Sequence, residues 1–472
     1  MMQFDGLKVL VVGLGESGEH AARLLSKLGS RVTVIDSSLS PQRADCKEEL
    51  EAKGVEVRLG VSVPHDLTNF ELVVTSPGVP NNSPVLSKAR FQGLKIVSEL
   101  ELGAMLLPCS IIAVTGTDGK TTTTKLIGEI LSRSSLKAVT CGNIGNPITS
   151  LYGLVDEDTI LVVETSSFQL ANIDTFKPHI AIALNIAQDH LDWHRDFYDY
   201  LHAKMRIVEN QDKDDFLIYY HDDPNLIHIA RATKGKVIGY GLQEDSLHSL
   251  MIANGWIKCS SPFEEVEIMP IEEIRLPGLH NILNVMAATG AALLSGCSPE
   301  SVRKAVRNFQ GLEHRIEKVI SIGNLDFYND SKATNPHATM SAVSTFPCPF
   351  VLIMGGRNKG LDFTELSKVL AERYKTGTLK GLVLFGESAR EIAGKIRNVS
   401  EEFYREKTVV VDSMDEAVKM ATLLIDSGVI LFSPACASFD MFSNYKERGE
   451  AFRNSVFKLL SWMERKDKVA KD

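Results

Sequence analysis

The chain has 472 residues, of which 44% are hydrophobic and 24% charged. That balance excludes a disordered, collagen-like or disulfide-stapled polypeptide and predicts about three domains. Its formal net charge of −9 argues against wrapping nucleic acid or lying on an anionic membrane, and for a small-molecule partner.

The first apolar run, Leu7 to Val12, ends in Gly13; residues 19 to 28 have helical periodicity and Arg31 to Asp36 is a β-branched run. This strand, turn, helix, strand unit predicts a parallel sheet, extended by runs at 72 to 75 and 95 to 97. Leu100 to Pro108 reads as a connecting segment. Ile111 to Gly116 opens a second unit, with a helix at 120 to 133, strands near 160 to 164 and 179 to 186, and a helix at 196 to 210. Strands at 216 to 220 and 237 to 240, a hairpin at Ala253-Asn254-Gly255-Trp256, and helices at 280 to 295 and 299 to 309 complete it. From Leu325 the strands 325 to 329, 350 to 355, 380 to 385, 408 to 412 and 429 to 433 alternate with amphipathic helices, predicting a third parallel α/β unit. The Lys-rich tail at 466 to 472 reads as solvated.

The seven cysteines, Cys46, Cys109, Cys141, Cys259, Cys297, Cys348 and Cys436, never form C-x-x-C. They suit buried thiols in a reducing cytosol. Met1 to Lys8 lacks the basic and apolar parts of a signal peptide, and no apolar run reaches about 18 residues, so the expected location is cytoplasmic without membrane insertion.

Val114-Thr-Gly-Thr-Asp-Gly-Lys-Thr-Thr122 lies between a strand and a helix start. A glycine-rich turn there aims backbone N–H groups and a helix dipole at phosphate oxygens; Lys120 would neutralise them and Thr121 or Thr122 would hold Mg²⁺. Val114 stands where the usual phosphate loop has glycine, so this is a shorter variant. Gly13-Leu-Gly15-Glu-Ser-Gly18, followed by Asp36, has the spacing of a dinucleotide fingerprint, which also suits other nucleotides or plain helix packing. Glu164 and the cluster Gln188-Asp189-His190-Leu191-Asp192 follow strands, where parallel sheets bind ligands. His190 and His194 have the i, i+4 spacing of a zinc pair but lack the glutamate that normally accompanies it. Lys204 reads as a surface lysine, and Gly355-Gly-Arg-Asn-Lys359-Gly360 supplies two cations suited to a carboxylate.

Thr115 to Thr121, Glu164-Thr-Ser-Ser-Phe-Gln169, Asn185-Ile-Ala-Gln-Asp-His190, Ala203-Lys204-Met205-Arg206, His280-Asn-Ile-Leu-Asn284, Glu313-His-Arg315 and Asp330-Ser-Lys-Ala-Thr-Asn335 together resemble the ATP-dependent Mur ligases of peptidoglycan synthesis, over essentially the whole chain. The resemblance implies an α/β fold of three domains: a Rossmann-like nucleotide-binding domain (1–102), a central P-loop ATPase-like domain (103–311) and a C-terminal Rossmann-like domain (312–472). Asp330 to Asn335, Gly355 to Lys359 and Ser433-Pro-Ala-Cys-Ala-Ser-Phe-Asp440 resemble the member that joins D-glutamate to UDP-N-acetylmuramoyl-L-alanine.

That resemblance implies ATP with Mg²⁺, two ions, or Mn²⁺ in their place. It implies ATP contacts from Gly116, Thr117, Asp118, Gly119, Lys120, Thr121, Thr122, His280, Asn281, Asn284, Arg315 and Asp330. The metals would be held by Thr121, Thr122, Glu164, His190 and a carbamylated Lys204. The UDP substrate would meet Gly15, Glu16, Ser17, Asp36, Ser37, Gly78, Asn143 and His190, and D-glutamate would meet Lys332, Thr334, Lys359, Ser438, Phe439 and Tyr445. Lys120, Lys204, His190 and Lys332 would carry the chemistry, in a monomer. Asp118, Ser38 and Tyr445 depart from residues common in the family. Three alternatives remain from sequence: a folylpolyglutamate synthase-like glutamate ligase, an NAD-dependent oxidoreductase, and a catalytically silent nucleotide-binding or regulatory protein of the same architecture.

Overall fold

The computed structural model describes residues 3–190 and 193–469. Leu191 and Asp192 of the acidic cluster, the last three residues of the Lys-rich tail and the first two of the chain lie outside the described residues. One compact unit comprises Met1–Ile274 with His280–Phe309, and a second comprises Arg275–Leu279 with Gln310–Asp472.

Among the described residues the chain forms sheets of five, nine and six strands. The first is β1 (Lys8–Val12), β2 (Arg31–Asp36), β3 (Glu56–Leu59), β4 (Leu72–Thr75) and β5 (Lys95–Ser98), all parallel in the order β3-β2-β1-β4-β5. Val9 and Val11 pack into one core and Leu10 and Val12 into another on the opposite face. A strand buried on both faces must be apolar throughout, which is why these segments read as continuous runs. The order reverses between β1 and β4, and such a reversal opens a crevice beyond the strand ends.

The second sheet contains β6 (Ser110–Thr115), β7 (Ala138–Gly142), β8 (Ile160–Glu164), β9 (Ile180–Ala183), β10 (Phe216–Tyr220), β11 (Lys236–Tyr240), β12 (Leu250–Ala253), β13 (Trp256–Cys259) and β14 (Val266–Pro270). It runs β14-β13-β12-β11-β10-β9-β6-β8-β7, all parallel except β13, which is antiparallel to both its neighbours. Ile112 and Val114 face one core while Ile111 and Ala113 face the other. The expected hairpin is present: Ala253 pairs with Trp256, and Asn254 and Gly255 both have positive φ, as a tight primed turn requires.

The second unit carries β15 (Glu317–Ile322), β16 (Leu325–Asn329), β17 (Phe350–Gly355), β18 (Leu379–Phe385), β19 (Thr408–Val410) and β20 (Gly428–Phe432), ordered β15-β16-β20-β17-β18-β19. Only β15 runs antiparallel, so the third unit is α/β as expected.

Two expectations are corrected. Leu100 to Pro108 is not a plain connector: Glu99–Leu106 is a helix, capped by Ser98 and running across the expected boundary at residue 102. Glu99 and Glu101 are both buried in it, and two carboxylates in an apolar segment conceal helical periodicity. The expected strand 179 to 186 ends at Ala183; Leu184 to Ile186 leave the sheet to brace the loop after β6.

Candidate functional site

The turn after β6 leaves the sheet at Gly116 and enters the helix Lys120–Arg133 through Gly119, whose φ of 82° places it in the left-handed region. A side chain at Gly119 would overlap the Asn284 carboxamide oxygen, so close packing as well as backbone conformation demands glycine there. Asn185 braces the turn: its carbonyl accepts the Thr117 N–H (2.9 Å), its Oδ1 accepts the Asp118 N–H (2.8 Å), and its Nδ2 donates to the Asp118 carbonyl (3.1 Å). The Thr117 hydroxyl bonds to the Ala187 carbonyl and lies 2.9 Å from the Tyr200 hydroxyl. Asn284 is buried in the helix Leu279–Leu294 and donates to Asn281 Oδ1 (3.1 Å); His280 in the same turn is exposed.

Two lysines meet on this turn. Lys120 Nζ donates to the carbonyls of Gly116 (2.8 Å) and Thr117 (2.7 Å). Lys204 Nζ donates to the same Gly116 oxygen at 2.8 Å. Lys204 is no surface residue: it is 2% exposed, with its Nζ 4.7 Å from the centre of the Tyr200 ring. Burial first, and the Lys120 charge second, hold its pKa well below the ordinary lysine value.

Thr121 and Thr122 are buried in the first helical turn, and Glu164 ends β8 at 2% exposure. Glu164 Oε1 accepts from Asn143 Nδ2 (3.1 Å), whereas Oε2 is buried without a hydrogen-bond partner. A buried carboxylate oxygen without a donor fits a hard cation, and hydroxyl and carboxylate oxygens are the donors Mg²⁺ prefers. The residues present therefore fit Mg²⁺ and a nucleotide phosphate. His190 has a φ of 53°, keeps its ring edge-on to Phe168 (4.8 Å between centroids), and is half-exposed beside Asp189. His194 is different. Its Nδ1 lies 3.1 Å from Asp199 and its Nε2 2.9 Å from the Ser167 hydroxyl, so both of its ring nitrogens are occupied and it makes no zinc pair with His190.

At the crevice of the first sheet, Gly13 has φ 89° and a side chain at Gly18 would overlap the Gly13 carbonyl oxygen. Gly18 therefore lets the helix Glu16–Lys27 pack against the turn, with Gly15 at its N-cap and Glu16 and Ser17 in its first turn. The Asp36 carboxylate accepts the Leu14 N–H (2.6 Å) and the Ser38 N–H (2.7 Å). It thus shapes the crevice, with exposed Ser37 beside it. Ser76 donates to the Gly13 carbonyl (2.8 Å), and exposed Gly78 follows on the same rim.

In the second unit Arg315 precedes β15, Asp330, Lys332 and Thr334 follow β16, Lys359 follows β17, Ser438 and Phe439 follow β20, and Tyr445 opens the helix Tyr445–Val469. Lys332 Nζ stands 5.6 Å from the centre of the Tyr445 ring and Lys359 Nζ 5.7 Å from that of Phe439, pairing each cation with an aromatic face. Ser438 is buried, and Thr334 is partly buried in the loop of Lys332. Asp330 accepts from Ser433 Oγ (2.7 Å) and the Ile316 N–H (3.2 Å), and burial raises its pKa to about 7 despite the opposing charges of Arg315 and Arg448.

Arg448 is a residue that sequence reasoning missed. It is fully buried and donates to Ser331 Oγ (3.1 Å), the Ser331 carbonyl (2.8 Å) and the Cys436 carbonyl (2.9 Å). A second tie, between Arg357 and Ala437 backbones, joins the β17 and β20 loops. An arginine in a charged helix start gives no sequence signal of burial. Asn185 and Tyr200 were equally unassigned, although Asn185 stands at the strand end where a brace is needed.

Comparison with known proteins agrees with this geometry. Residues 7–98 match the Mur ligase MurD-like N-terminal domain, 114–292 the Mur ligase middle domain and 314–436 the Mur ligase, glutamate ligase domain. The chain is 40% identical over 459 residues to the UDP-N-acetylmuramoylalanine--D-glutamate ligase of Koribacter versatilis, covering 97% of this chain and 99% of that one. It is 37% identical to the enzyme of that name from Caldanaerobacter subterraneus, covering 97% and 100%. Among solved structures, UDP-N-acetylmuramate-alanine ligase of Thermotoga maritima shares the fold with a TM-score of 0.56 at 18% identity, covering 96% of this chain and 99% of that one. MurF from Acinetobacter baumannii does so at 0.58 and 19%, covering 86% and 87%. With domain models matched in succession along the chain and relatives 37–40% identical over nearly its whole length, the chain belongs to the Mur ligase family.

Proposed function

We propose that this Mur ligase uses ATP to join the amino group of D-glutamate to the alanyl carboxylate of UDP-N-acetylmuramoyl-L-alanine, in peptidoglycan precursor synthesis. The name shared by relatives covering nearly the whole chain supports this substrate pair. The observation that carries the chemistry is the phosphate loop with two lysines on one carbonyl oxygen beside the orphaned oxygen of Glu164.

A carboxylate is a poor electrophile. Its oxygen attacks the terminal phosphorus of ATP, ADP leaves, and the resulting acyl phosphate takes up the amine through a tetrahedral intermediate that expels phosphate as the nitrogen loses a proton. The turn's backbone and Lys120 bind and orient the phosphates, which requires Lys120 to exchange its loop carbonyls for phosphate oxygens. Bound Mg²⁺ supplies charge neutralisation between the anionic reactants. Thr121, Thr122, Glu164 and His190 are the residues that would hold it, in two-ion form, with Mn²⁺ as an alternative. Lys204 completes that set as a carbamate. Its buried amine is held toward the neutral form, whose lone pair attacks CO₂; the nitrogen then loses a proton and a cation becomes an oxygen ligand.

His280, Asn281, Asn284, Arg315 and Asp330 serve ATP, while the rim from Gly15 to Ser17 with Asp36, Ser37, Gly78, Asn143 and His190 serves the UDP-sugar. Lys332 and Lys359 match the two carboxylates of D-glutamate in number and sign, with Thr334, Ser438, Phe439 and Tyr445 around them. The division 1–102, 103–311 and 312–472, a monomeric state and a cytoplasmic location belong to the same reading; among the described residues no helix is long and apolar enough to cross a membrane.

The test is phosphate release from Mg·ATP with the UDP-muramoyl-alanine acceptor across D- and L-amino acids. Release requiring both acceptor and D-glutamate is expected, and Lys120→Ala is expected to abolish it with the fold intact. Release with a different amino acid would reassign the chain to a sister step of the family.

A further inference from the structure

Away from the phosphate loop, a second group of ligand-type side chains gathers at the carboxyl edge of the central sheet. His221 and Asp222 follow β10, and His248 precedes β12. The His248 imidazole is 4% exposed and lies flat over Gly241, where any side chain would overlap the ring. Its Nδ1 lies 2.9 Å from the Gln243 carbonyl oxygen, so Nδ1 carries the proton. In the neutral imidazole Nε2 is then a bare lone pair. That atom is buried without a hydrogen-bond partner and faces Asp222 Oδ1 at 3.5 Å. His221 Nδ1 stands 3.8 Å from the same oxygen, and the two imidazole centroids are 5.1 Å apart.

A lone pair aimed at a carboxylate is repelled unless positive charge stands between them. An imidazole whose other nitrogen donates to a backbone carbonyl is also the arrangement that orients metal-ligating histidines. We propose that His221, Asp222 and His248 form a site for a borderline divalent transition metal of the Zn²⁺ class, with water as the fourth ligand. One ligand atom from each residue lies within 4.8 Å of the others. Tetrahedral zinc with bonds of about 2.0–2.1 Å spaces its ligands about 3.4 Å apart. Asp222 is already near that spacing from His248, and partly exposed His221 can turn inward. Two imidazoles with one carboxylate favour zinc over Mg²⁺, which separates this site from the oxygen-rich centre at Glu164.

The position gives the ion a structural consequence. Asp223, the next residue, accepts the Ile186 N–H (2.8 Å), and Asn225 donates to the Ile186 carbonyl (3.0 Å). Ile186 adjoins Asn185, the brace of the phosphate turn. A metal at His221 and Asp222 pins the root of that brace.

The full chain, held in millimolar Mg²⁺ to occupy the hard-ion centre, is titrated with Zn²⁺ against a chromophoric chelator. Co²⁺ is used in parallel for its visible tetrahedral bands. Expected are one Zn²⁺ per chain in the wild type, binding weaker by on the order of 100-fold in His221→Asn and Asp222→Asn, and loss of the Co²⁺ bands. Without added Zn²⁺, Mg·ATP turnover of His221→Asn stays at the wild-type level. His248→Asn is the stronger perturbation, and because its ring fills the space over Gly241, the more exposed His221 and Asp222 variants decide the question should it fail to fold. No Zn²⁺ bound in the presence of Mg²⁺, or equal binding by wild type and His221→Asn, overturns the proposal in favour of a protonated His248 paired with Asp222.

Discussion

Glu101 lies in the helix Glu99–Leu106 with no exposed surface, and its carboxylate is saturated by donors from a distant segment. Oε2 accepts the N–H groups of Asp174 and Phe176, both at 2.9 Å. Oε1 accepts the Thr175 N–H at 2.7 Å and its hydroxyl at 2.6 Å. Glu101→Ala strands three backbone donors. At roughly 1–3 kcal/mol for the donor of buried Phe176, less for those of the exposed Asp174 and Thr175, and with the Glu101 side-chain packing lost as well, the expected loss is about 4 kcal/mol. That is a large part of the roughly 5–15 kcal/mol that holds a domain folded. Glu101→Gln is the sharper perturbation, because it is nearly isosteric. Its carbonyl can still serve Thr175, but its NH₂ group faces two N–H donors, so about 3 kcal/mol is expected. Urea unfolding followed by tryptophan fluorescence reads the effect, since Trp193 and Trp256 both belong to the first unit. A Glu101→Gln midpoint equal to wild type would refute the reasoning that acceptor capacity, rather than shape, ties this helix to Asp174–Phe176.

Three further outcomes are expected. Gly18→Ala drives a methyl group into the Gly13 carbonyl, so it should cost about 1–3 kcal/mol and raise KM for the UDP-substrate while leaving KM for D-glutamate unchanged in steady-state kinetics. Burial raises the Glu99 pKa from 4.5 to about 7 against the opposing Thr149 hydrogen bonds, so the folded state binds more protons than the unfolded chain in that interval. Its stability contribution is full below about pH 4.5 and lost as pH rises through about 7, so the wild-type advantage over Glu99→Gln should shrink by about 3 kcal/mol between those limits in urea titrations. Arg448→Lys keeps the charge but loses the forked donors to Ser331 and Cys436. It should raise KM for D-glutamate about tenfold or more with KM for the UDP-substrate unchanged; equal rises in both would show general destabilisation instead.

Strands such as Val9–Val12 and Ile111–Val114 were legible because a parallel strand covered on both faces must be apolar at every position. The tight turn after β6 was legible because glycine between a strand and a helix marks backbone conformations and close packing that other residues resist, as at Gly119. The helix Glu99–Leu106 was not, since its two buried glutamates find their donors at Thr149 and at Asp174 to Phe176, far along the chain. A residue's polarity says whether it needs a partner, never where that partner stands.

Lys204 draws the same line. By itself the sequence determined a three-part α/β chain with a glycine-rich turn between a strand and a helix, because backbone geometry and apolar periodicity are local properties written in neighbouring residues. Only the tertiary structure decided that the Lys204 amine is buried over Tyr200 and shares the Gly116 carbonyl with Lys120. It likewise decided that Glu164 keeps an unpartnered oxygen and that Arg448 is interior. Burial and electrostatic environment arise from segments that meet only on folding, and it is they that set the surroundings of an otherwise ordinary lysine or arginine.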